Sequence, residues 1–310
     1  MKSLKLSFLI AAHNEEKIIA KTLSNLISLP YSNYEIIIGL DGCTDNTENI
    51  VKKFKKKSKK IKYYKLNLRS GKPEVIDKII KKAKGDIIII NDADWLFFVK
   101  NKKIMQKFIS VFDNPNIGGI AESFPVEWNL KKIKKSNLGY KMVAYSSYLW
   151  LKFQKQKLTY KKSKFTYLKS PKMFLTNIFR KNLYSKNKTL GDDFERTKTI
   201  IDKGYNVILF PEISMPRMVA IYNNIPVKDL FKQKIRTAIA RSQLKDNNQN
   251  IGIKYYLFSV SYIFFNSWKF GFSIGFIILF WIILTTLATF FAKFQHKDTK
   301  EGWKMRINRN

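Results

Sequence analysis

Two carboxylates stand at Asp92 and Asp94, directly behind the isoleucine run Ile87–Ile90. On an extended strand, positions i and i+2 point to one face. Two carboxylates on one face at a strand's end repel each other unless a cation lies between them. An oxygen-only donor set suits Mg²⁺ or Mn²⁺, and such ions commonly bridge to substrate phosphates. The chemistry this pair could support is stabilisation of a departing diphosphate. The plain alternative is a pair of solvated loop aspartates.

Other residues with chemical capacity are spread along the chain. Asp41 ends an apolar run in the segment DGCTDNT, where a carboxylate can accept hydrogen bonds from a base or ribose. Gly42 allows close backbone approach there, and Thr44 or Asp45 can cap the next helix. Asn14 and Glu15 follow the first apolar run, placed equally well to contact a nucleotide or to cap a helix. His13 is a poor metal ligand, because the chain has only two histidines and the other, His296, lies in the tail. Asp192 and Asp193 open an expected helix, with Glu195 close behind. The helix dipole favours acids in a first turn, but one of them could equally serve as the base that activates an acceptor hydroxyl. Gln233 and Arg236 are three apart and share a helix face. An arginine fork there suits a diphosphate; an ordinary basic helix, continuing to Arg241, is the competing reading.

The elements that must position these groups follow from the pattern of apolar runs. Leu6–Ala12, Glu35–Leu40, Ile61–Leu66 and Ile87–Ile90 read as strands. Glu16–Ser28, Asp45–Lys57 and Lys72–Lys84 lie between them and are long enough for helices. Isoleucine runs without polar alternation suit parallel strands covered on both faces. Alternating strands and helices imply a doubly wound α/β sheet, whose ligands bind at the carboxyl ends of the strands. Further strands are expected at Ile117–Phe124, Met173–Phe179 and Asn206–Phe210. Further helices are expected at Leu138–Phe153, Asp192–Lys203 and Lys228–Gln243.

The chain has 310 residues, with 58 Lys and Arg against 23 Asp and Glu, for a net charge of +35. Such a surface attracts polyanions, including nucleotide phosphates and anionic lipid headgroups. The abundance of Lys, Ile and Asn is also what an AT-rich genome would produce. The basic run Lys52–Lys60 reads as a solvated helix end. The hydrophobic fraction of 45% excludes a disordered chain. A single cysteine, Cys43, excludes an internal disulfide and a thiolate zinc cluster. The opening MKSLKLSFLIAAHNEE resembles a secretory signal, but its apolar run is short and ends in polar residues, so it reads as a buried strand.

Phe270 to Ala292 carries no charge and is flanked by Lys269 and Lys293. Its length as a helix, ~35 Å, is enough to cross hydrocarbon. The stretch Tyr255–Trp268 is also uncharged but short, which suits an interfacial, re-entrant or tilted partner segment. The tail after Ala292 has six Lys or Arg against two acids and so prefers the cytoplasm. The organisation expected is a catalytic domain over 1–250, an interfacial or re-entrant helix over 251–268, a transmembrane helix over 269–293 and a basic tail over 294–310. The large basic domain prefers the cytoplasmic side as well; one span would separate it from the tail, whereas two close spans would put both inside.

The order and spacing of these pieces resemble family 2 glycosyltransferases of the GT-A fold, over roughly Leu4 to Arg241. FLIAAHNEE looks like the family's first strand and nucleotide-binding turn, and IIIGLDGCTDNTENI like its second. RSGKPEVID is similar to its Gly-Lys segment, and IIIINDAD to its metal-binding DxD. FLTNIFRKNL looks like the strand before the acceptor-site helix. GDDFERTKTIIDKGYNVILFPE resembles the segment usually written GED, and KQKIRTAIARS the Q-x-x-R-W segment. The resemblance implies that Asp41 binds the base, that Lys72 lies near the nucleotide, and that Asp92 and Asp94 hold Mg²⁺ or Mn²⁺. It further implies Asp193 as catalytic base, with Gln233 and Arg236 on the diphosphate. The family's Trp after the Arg is here Thr237. That Trp is most typical of processive polysaccharide synthases, which also carry several membrane spans, so addition of a single sugar is expected.

The function expected is inverting transfer from a nucleotide-diphosphate sugar, a UDP-sugar first and a GDP-sugar second, to a hydroxyl of a saccharide or lipid-linked saccharide. A polyprenyl-phosphate sugar synthase is the alternative, but its acceptor is already ionised and needs no base. A membrane-tethered nucleic-acid-binding protein is the more distant alternative. It requires no role for Asp92, and no nucleic-acid partner is expected.

Overall fold

The computed structural model describes residues 4–121, 133, 135–169, 176–186, 189–209, 216–220, 224–246 and 253–295. The chain divides into two compact units. The first comprises Met1–Glu127, Tyr160–Lys188 and Asp192–Ile221; the second comprises Trp128–Thr159, Thr189–Gly191 and Tyr222–Asn310.

The first unit begins as the isoleucine pattern requires. Strands β1 (Leu6–Ala12), β2 (Tyr34–Asp41), β3 (Ile61–Leu66) and β4 (Ile87–Ile90) alternate with helices α1 (Ile19–Ile27), α2 (Thr47–Lys57) and α3 (Lys72–Ile80). Every residue of β1, β2 and β4 is buried, which explains why these runs carry no polar alternation. β1 pairs in parallel with both β2 and β4, and β2 pairs in parallel with β3. Chain order therefore reverses at β1, with β2 and β3 on one side and β4 on the other. Ligands of open α/β sheets bind at such a switch point.

Beyond β4 the sheet becomes mixed. β5 (Trp95–Phe98), α4 (Lys102–Ser110), β6 (Ile117–Ala121), β7 (Thr159–Lys162), β8 (Phe165–Leu168), β9 (Ile178–Arg180), α6 (Asp192–Asp202), β10 (Asn206–Leu209) and β11 (Arg217–Ala220) complete the unit, and α5 (Leu138–Lys157) belongs to the second. The order of the main sheet is β3-β2-β1-β4-β9-β6-β10-β8-β7 among the described residues. β9 runs antiparallel between β4 and β6, while β10 is parallel to β6. β5 and β11 form a separate antiparallel pair. The strand expected over Met173–Phe179 is present only as β9, and its first residues lie outside the described ones.

One face of β1 and β2 packs Leu6, Phe8, Ile10, Ile36 and Ile38 against Ile19, Leu23 and Leu26 of α1. Edge-to-face rings extend this core, with Phe8 to Phe97 at 5.2 Å and Phe97 to Phe108 at 5.9 Å. α3 lies close against β2 at Gly39, where an added Cβ would stand 2.3 Å from the Val75 side chain. Glycine is needed there for helix and strand to approach. Glu35 is buried at the far end of the sheet and accepts from Ser7 Oγ (2.9 Å), Lys62 Nζ (2.8 Å) and the Lys84 N–H (2.5 Å). Burial alone would raise this carboxyl, but these donors outweigh burial and hold it below the usual range.

The second unit is helical: α5, α7 (Val227–Asp246), α8 (Ile253–Ser267) and α9 (Phe272–Ala292). Asn137 starts α5. Its Oδ1 accepts from the N–H groups of Tyr140 (3.0 Å) and Ile225 (3.1 Å), and its Nδ2 donates to the Ile225 carbonyl (3.0 Å). Tyr140 and Val143 of α5 pack with Leu230 of α7 and Leu284 of α9. Phe153 meets Tyr255 and Tyr262 of α8 at 5.7 and 5.4 Å, so much of the aromatic stretch in α5 is core of this unit. α9 is the one described helix long and apolar enough, by length and composition, to cross a membrane. Its Phe272 and Phe276 are 80% and 62% exposed, and Phe258 and Phe265 of α8 are 68% and 69% exposed.

Candidate active site

Three adjacent strands, β2, β1 and β4, deliver the site at their carboxyl ends. Behind β1, His13 Nδ1 lies 2.6 Å from the Asp41 carbonyl, and Asn14 takes φ +53°. The Asn14 amide donates to Thr44 Oγ1 (3.0 Å) and its Oδ1 accepts the Thr44 N–H (2.8 Å). Glu15 is buried, and its N–H donates to Thr47 Oγ1 at 2.7 Å. Asn14 and Glu15 thus lace the β1 turn to the β2 turn.

Asp41 is fully buried at the end of β2. One oxygen accepts the Ser70 N–H at 2.6 Å and the other the Gly71 N–H at 2.9 Å. This carboxylate therefore anchors the turn that starts α3, whose first residue is Lys72. Gly42 makes the approach possible. Its φ is +58°, and an added Cβ would stand 2.8 Å from the Arg69 nitrogen. In the same turn, Arg69 has its Nε and one terminal nitrogen buried with no hydrogen-bond partner among the described residues.

Asp92 and Asp94 follow β4, but not on the strand. The ladder stops at Ile90, and the Trp95 N–H donates back to the Asp92 carbonyl at 3.1 Å. The pair therefore occupies a tight turn between β4 and β5, and strand alternation does not set its direction. Asn91 holds this turn by donating to the carbonyls of Asp92 and Trp95, both at 2.9 Å, while its own Oδ1 is buried without a partner among the described residues. The Asp92 side chain is 36% exposed and Asp94 is buried.

Lys72 joins this turn to α6. Its Nζ lies 2.9 Å from Asp92 Oδ1 and 3.8 Å from Asp192 Oδ2. Burial alone would depress the ammonium, but the carboxylates of Asp192, Asp92 and Asp193 outweigh it and hold Lys72 above its ordinary value. Asp192 also accepts from Arg196 Nη2 at 2.9 Å, one helical turn along, and both side chains are buried. Arg196 Nη1 donates to the Thr176 carbonyl (2.8 Å) and Asn177 Oδ1 (2.9 Å). Asp192 is thus held between two cations. Asp193 is the half-buried neighbour. Burial first, then the Asp192 carboxylate, push it up to about 6, against the opposing pull of Lys72 and Arg196. A carboxylate poised near neutrality suits general-base work.

The structure brings together Asp41, Lys72, Asp92, Asp94 and Asp193 within the first unit. Gln233 and Arg236 lie on α7 in the second unit, where Thr237 Oγ1 donates to the Gln233 carbonyl at 2.9 Å and Arg236 Nε is buried without a partner among the described residues. No cluster of three or more His, Cys, Asp or Glu able to hold a metal occurs among the described residues. Asp92 and Asp94 nevertheless form an all-oxygen set beside the unpartnered Asn91 oxygen, which fits a hard divalent ion completed by substrate phosphates. Arg196 and Arg69 were not singled out in the sequence. The spacing of Asp192 and Arg196, four apart on one helix, was the available signal for the first; nothing in the sequence distinguishes Arg69.

Residues 7–183 match the family model described as glycosyl transferase family 2. The chain is 34% identical over 119 residues to the poly-β-1,6-N-acetyl-D-glucosamine synthases of Staphylococcus epidermidis and Staphylococcus aureus strain COL. That match covers 36% of this chain but only 29% of each relative. Among solved structures, a mannosyltransferase from Pyrobaculum calidifontis in complex with GDP-mannose and Mn²⁺ superposes with a TM-score of 0.56 at 14% identity. It covers 98% of this chain and 79% of the other, a likeness of fold. The chain belongs to glycosyl transferase family 2 and has the GT-A fold.

Proposed function

We propose that this family 2 glycosyltransferase moves a single sugar, with inversion, from a nucleotide-diphosphate sugar to a hydroxyl of a saccharide or lipid-linked saccharide. The observation that carries the reading is the placement of Asp193, a carboxylate raised to about 6, beside the ion-paired group of Lys72, Asp92 and Asp192. Asp193 removes the proton of the acceptor hydroxyl, whose oxygen then attacks the anomeric carbon from the face opposite the leaving diphosphate. Lys72 supplies positive charge where that diphosphate departs, and Arg236 is assigned the same task. Asp92 and Asp94 would hold Mg²⁺ or Mn²⁺, which supplies Lewis-acid stabilisation of the leaving group when bound. Asp41 recognises the base by way of the turn it anchors, Asn14 and Glu15 shape the first unit's part of donor binding, and Gln233 keeps the donor-binding role its motif implies.

The name of the staphylococcal relatives favours an N-acetylhexosamine donor and hence a UDP-sugar. It also favours a second reading, repeated addition to a growing glycan. Thr237, standing where processive synthases carry Trp, supports the single transfer. Residues 1–250 form the catalytic domain, on the cytoplasmic side. Residues 251–268 lie at the interface, re-enter or cross as a tilted partner of residues 269–293, which anchor the chain in the membrane; a second crossing is what would keep the basic tail 294–310 on the domain's side.

The test is donor recognition. The full chain in an uncharged detergent, with Mn²⁺, is melted in the presence of UDP, GDP, dTDP and CDP. A selective rise in Tm with UDP supports the reading. No rise with any nucleotide, together with a salt-sensitive rise on adding DNA or RNA, overturns it.

A further inference from the structure

The chain crosses from one unit to the other immediately before the two aspartates of α6. Thr189, Leu190 and Gly191 belong to the second unit, and Asp192 begins a stretch of the first. Asp193 therefore stands two residues past the junction. On its C-terminal side it is held within the first unit. Its carbonyl accepts from Thr197 Oγ1 at 3.1 Å, and Thr197 Oγ1 lies 2.7 Å from Thr176 Oγ1. Its Oδ1 accepts the Phe194 N–H at 3.1 Å. These bonds fix the body of α6 but not the chain that enters it, and the start of a helix frays unless its approach is held.

That hold comes from within the second unit. Leu190 is buried and packs with Ile235, Ile239 and Ala240 of α7 and Ala288 of α9. Its N–H donates to Gln243 Oε1 at 3.0 Å. The Gly191 N–H donates to Thr189 Oγ1 at 3.2 Å, which closes the turn. Ile235, Ile239 and Gln243 are spaced four apart, so one stripe of α7 supplies two apolar contacts and the polar one. Apolar contact has no direction. It sets how deep Leu190 sits, not how its backbone is turned. The bond to Gln243 is directional and fixes the plane of the Leu190 amide. Each residue adds only two soft dihedrals, so an amide fixed at Leu190 constrains where Asp193 emerges three residues later.

We propose that Gln243 and Leu190 are positioning residues for Asp193, acting through the peptide link that joins Leu190 to α6. The inference rests on the assignment of Asp193 as the base and does not depend on membrane anchoring. Neither side chain is assigned a contact with substrate. Leu190 seats the entering chain on α7 and α9, and Gln243 sets its orientation. The aim of the base is then governed from both sides, by Thr197 and Thr176 after it and by the helical unit before it.

The test compares full-chain variants in an uncharged detergent by acceptor-dependent release of nucleoside diphosphate, by the Tm rise with UDP and Mn²⁺, and by hydrogen exchange. Gln243→Met removes the acceptor oxygen and should lower kcat by up to about a hundredfold, the cost of misplacing a catalytic group by about 1 Å. Its donor KM and UDP-induced Tm rise should stay at wild-type values. Gln243→Glu keeps an acceptor oxygen and should restore kcat. Leu190→Ala should behave like Gln243→Met, and Leu190→Met like wild type. The double variant Asp193→Asn/Gln243→Met should be no slower than Asp193→Asn, because an absent base cannot be misaimed. Without any substrate, the amides of Leu190 and Phe194 should exchange faster in Gln243→Met than in wild type or Gln243→Glu. A wild-type kcat in Gln243→Met, unchanged exchange, an equal loss of donor affinity, or a double variant slowed by the full effect of Gln243→Met overturns the positioning role. Wild-type turnover by Asp193→Asn is a separate result: it overturns the base assignment itself.

Discussion

The Lys72 ammonium stands 2.9 Å from the Asp92 carboxylate, placing the first residue of α3 on the turn that follows β4. Asp41 makes this possible by tying the two residues before Lys72 to the end of β2. One buried carboxylate thus aims a cation at another carboxylate two strands away. Substituting Lys72→Met should weaken nucleotide-sugar affinity by about tenfold or more, equivalent to one charge-assisted contact. Titration of UDP against Tm in the presence of Mn²⁺ checks this.

Asp193→Asn should lower kcat by about 10²- to 10⁴-fold, the usual worth of a positioned base. The same variant should keep its UDP-induced rise in Tm, because the proton acceptor is not assigned to donor binding. Loss of both together would mean that Asp193 is structural.

The pH profile should follow Asp193. With its carboxyl raised to about 6, kcat/KM should fall tenfold per pH unit below that value. Asp192 raises Asp193 and Lys72 lowers it, so Asp192→Asn should move this limb to lower pH and Lys72→Met should move it higher. Stability runs the other way. The folded chain binds the Asp193 proton more tightly than the unfolded chain, whose carboxyl keeps its ordinary value of 3.8. Between about pH 4 and pH 6 the native state therefore holds the extra proton, and stability falls as pH rises through that window. Urea melts of wild type and Asp193→Asn across the window should converge at its acid end and part above it, with wild type the less stable.

Arg196→Met should destabilise the first unit by about 3–5 kcal/mol, because it leaves the buried Asp192 without its closest cation. The double variant Asp192→Asn/Arg196→Met should cost less than the sum of the single ones. Chemical denaturation of all three measures the coupling.

Gly42→Ala should cost about 1–3 kcal/mol, combining left-handed backbone strain with the clash against Arg69. Because the displaced segment carries Ser70 and Gly71, nucleotide affinity should fall with it. A variant that melts earlier but binds UDP normally would show that this turn is not part of the donor pocket.

Half of the first unit was legible because its signals are local. The runs Leu6–Ala12 and Ile87–Ile90 are buried on both faces, so their sequences alone mark their ends. β7 and β8 left no such mark. Thr159–Lys162 is polar and mostly exposed, and its place at the sheet edge comes from long-range pairing. α4 was missed as well, although Asn101 caps it and accepts the Ile104 N–H at 3.0 Å. Its periodicity is short and interrupted by lysines. In the site, the residue types of Asp92 and Asp94 were informative but their local geometry was not. Whether a strand stops at Ile90 or runs on to Asp94 depends on the bond from Trp95 back to Asp92, which no residue pattern announces. The partners of Asp192 were likewise hidden, because Lys72 is remote in sequence and reaches it only through the fold.

Metal-assisted sugar transfer with Asp193 as base makes a direct demand on turnover. The most direct measurement is nucleoside-diphosphate release by the full chain, supplied with Mn²⁺, the best-binding nucleotide sugar and a panel of saccharide and lipid-linked acceptors, for wild type, Asp94→Ala and Asp193→Asn. Acceptor-dependent release by wild type, abolished by chelation and by Asp94→Ala and reduced at least a hundredfold by Asp193→Asn, is the outcome predicted. Release that is indifferent to chelation and undiminished in Asp193→Asn would mean that neither the metal nor Asp193 takes part in the transfer.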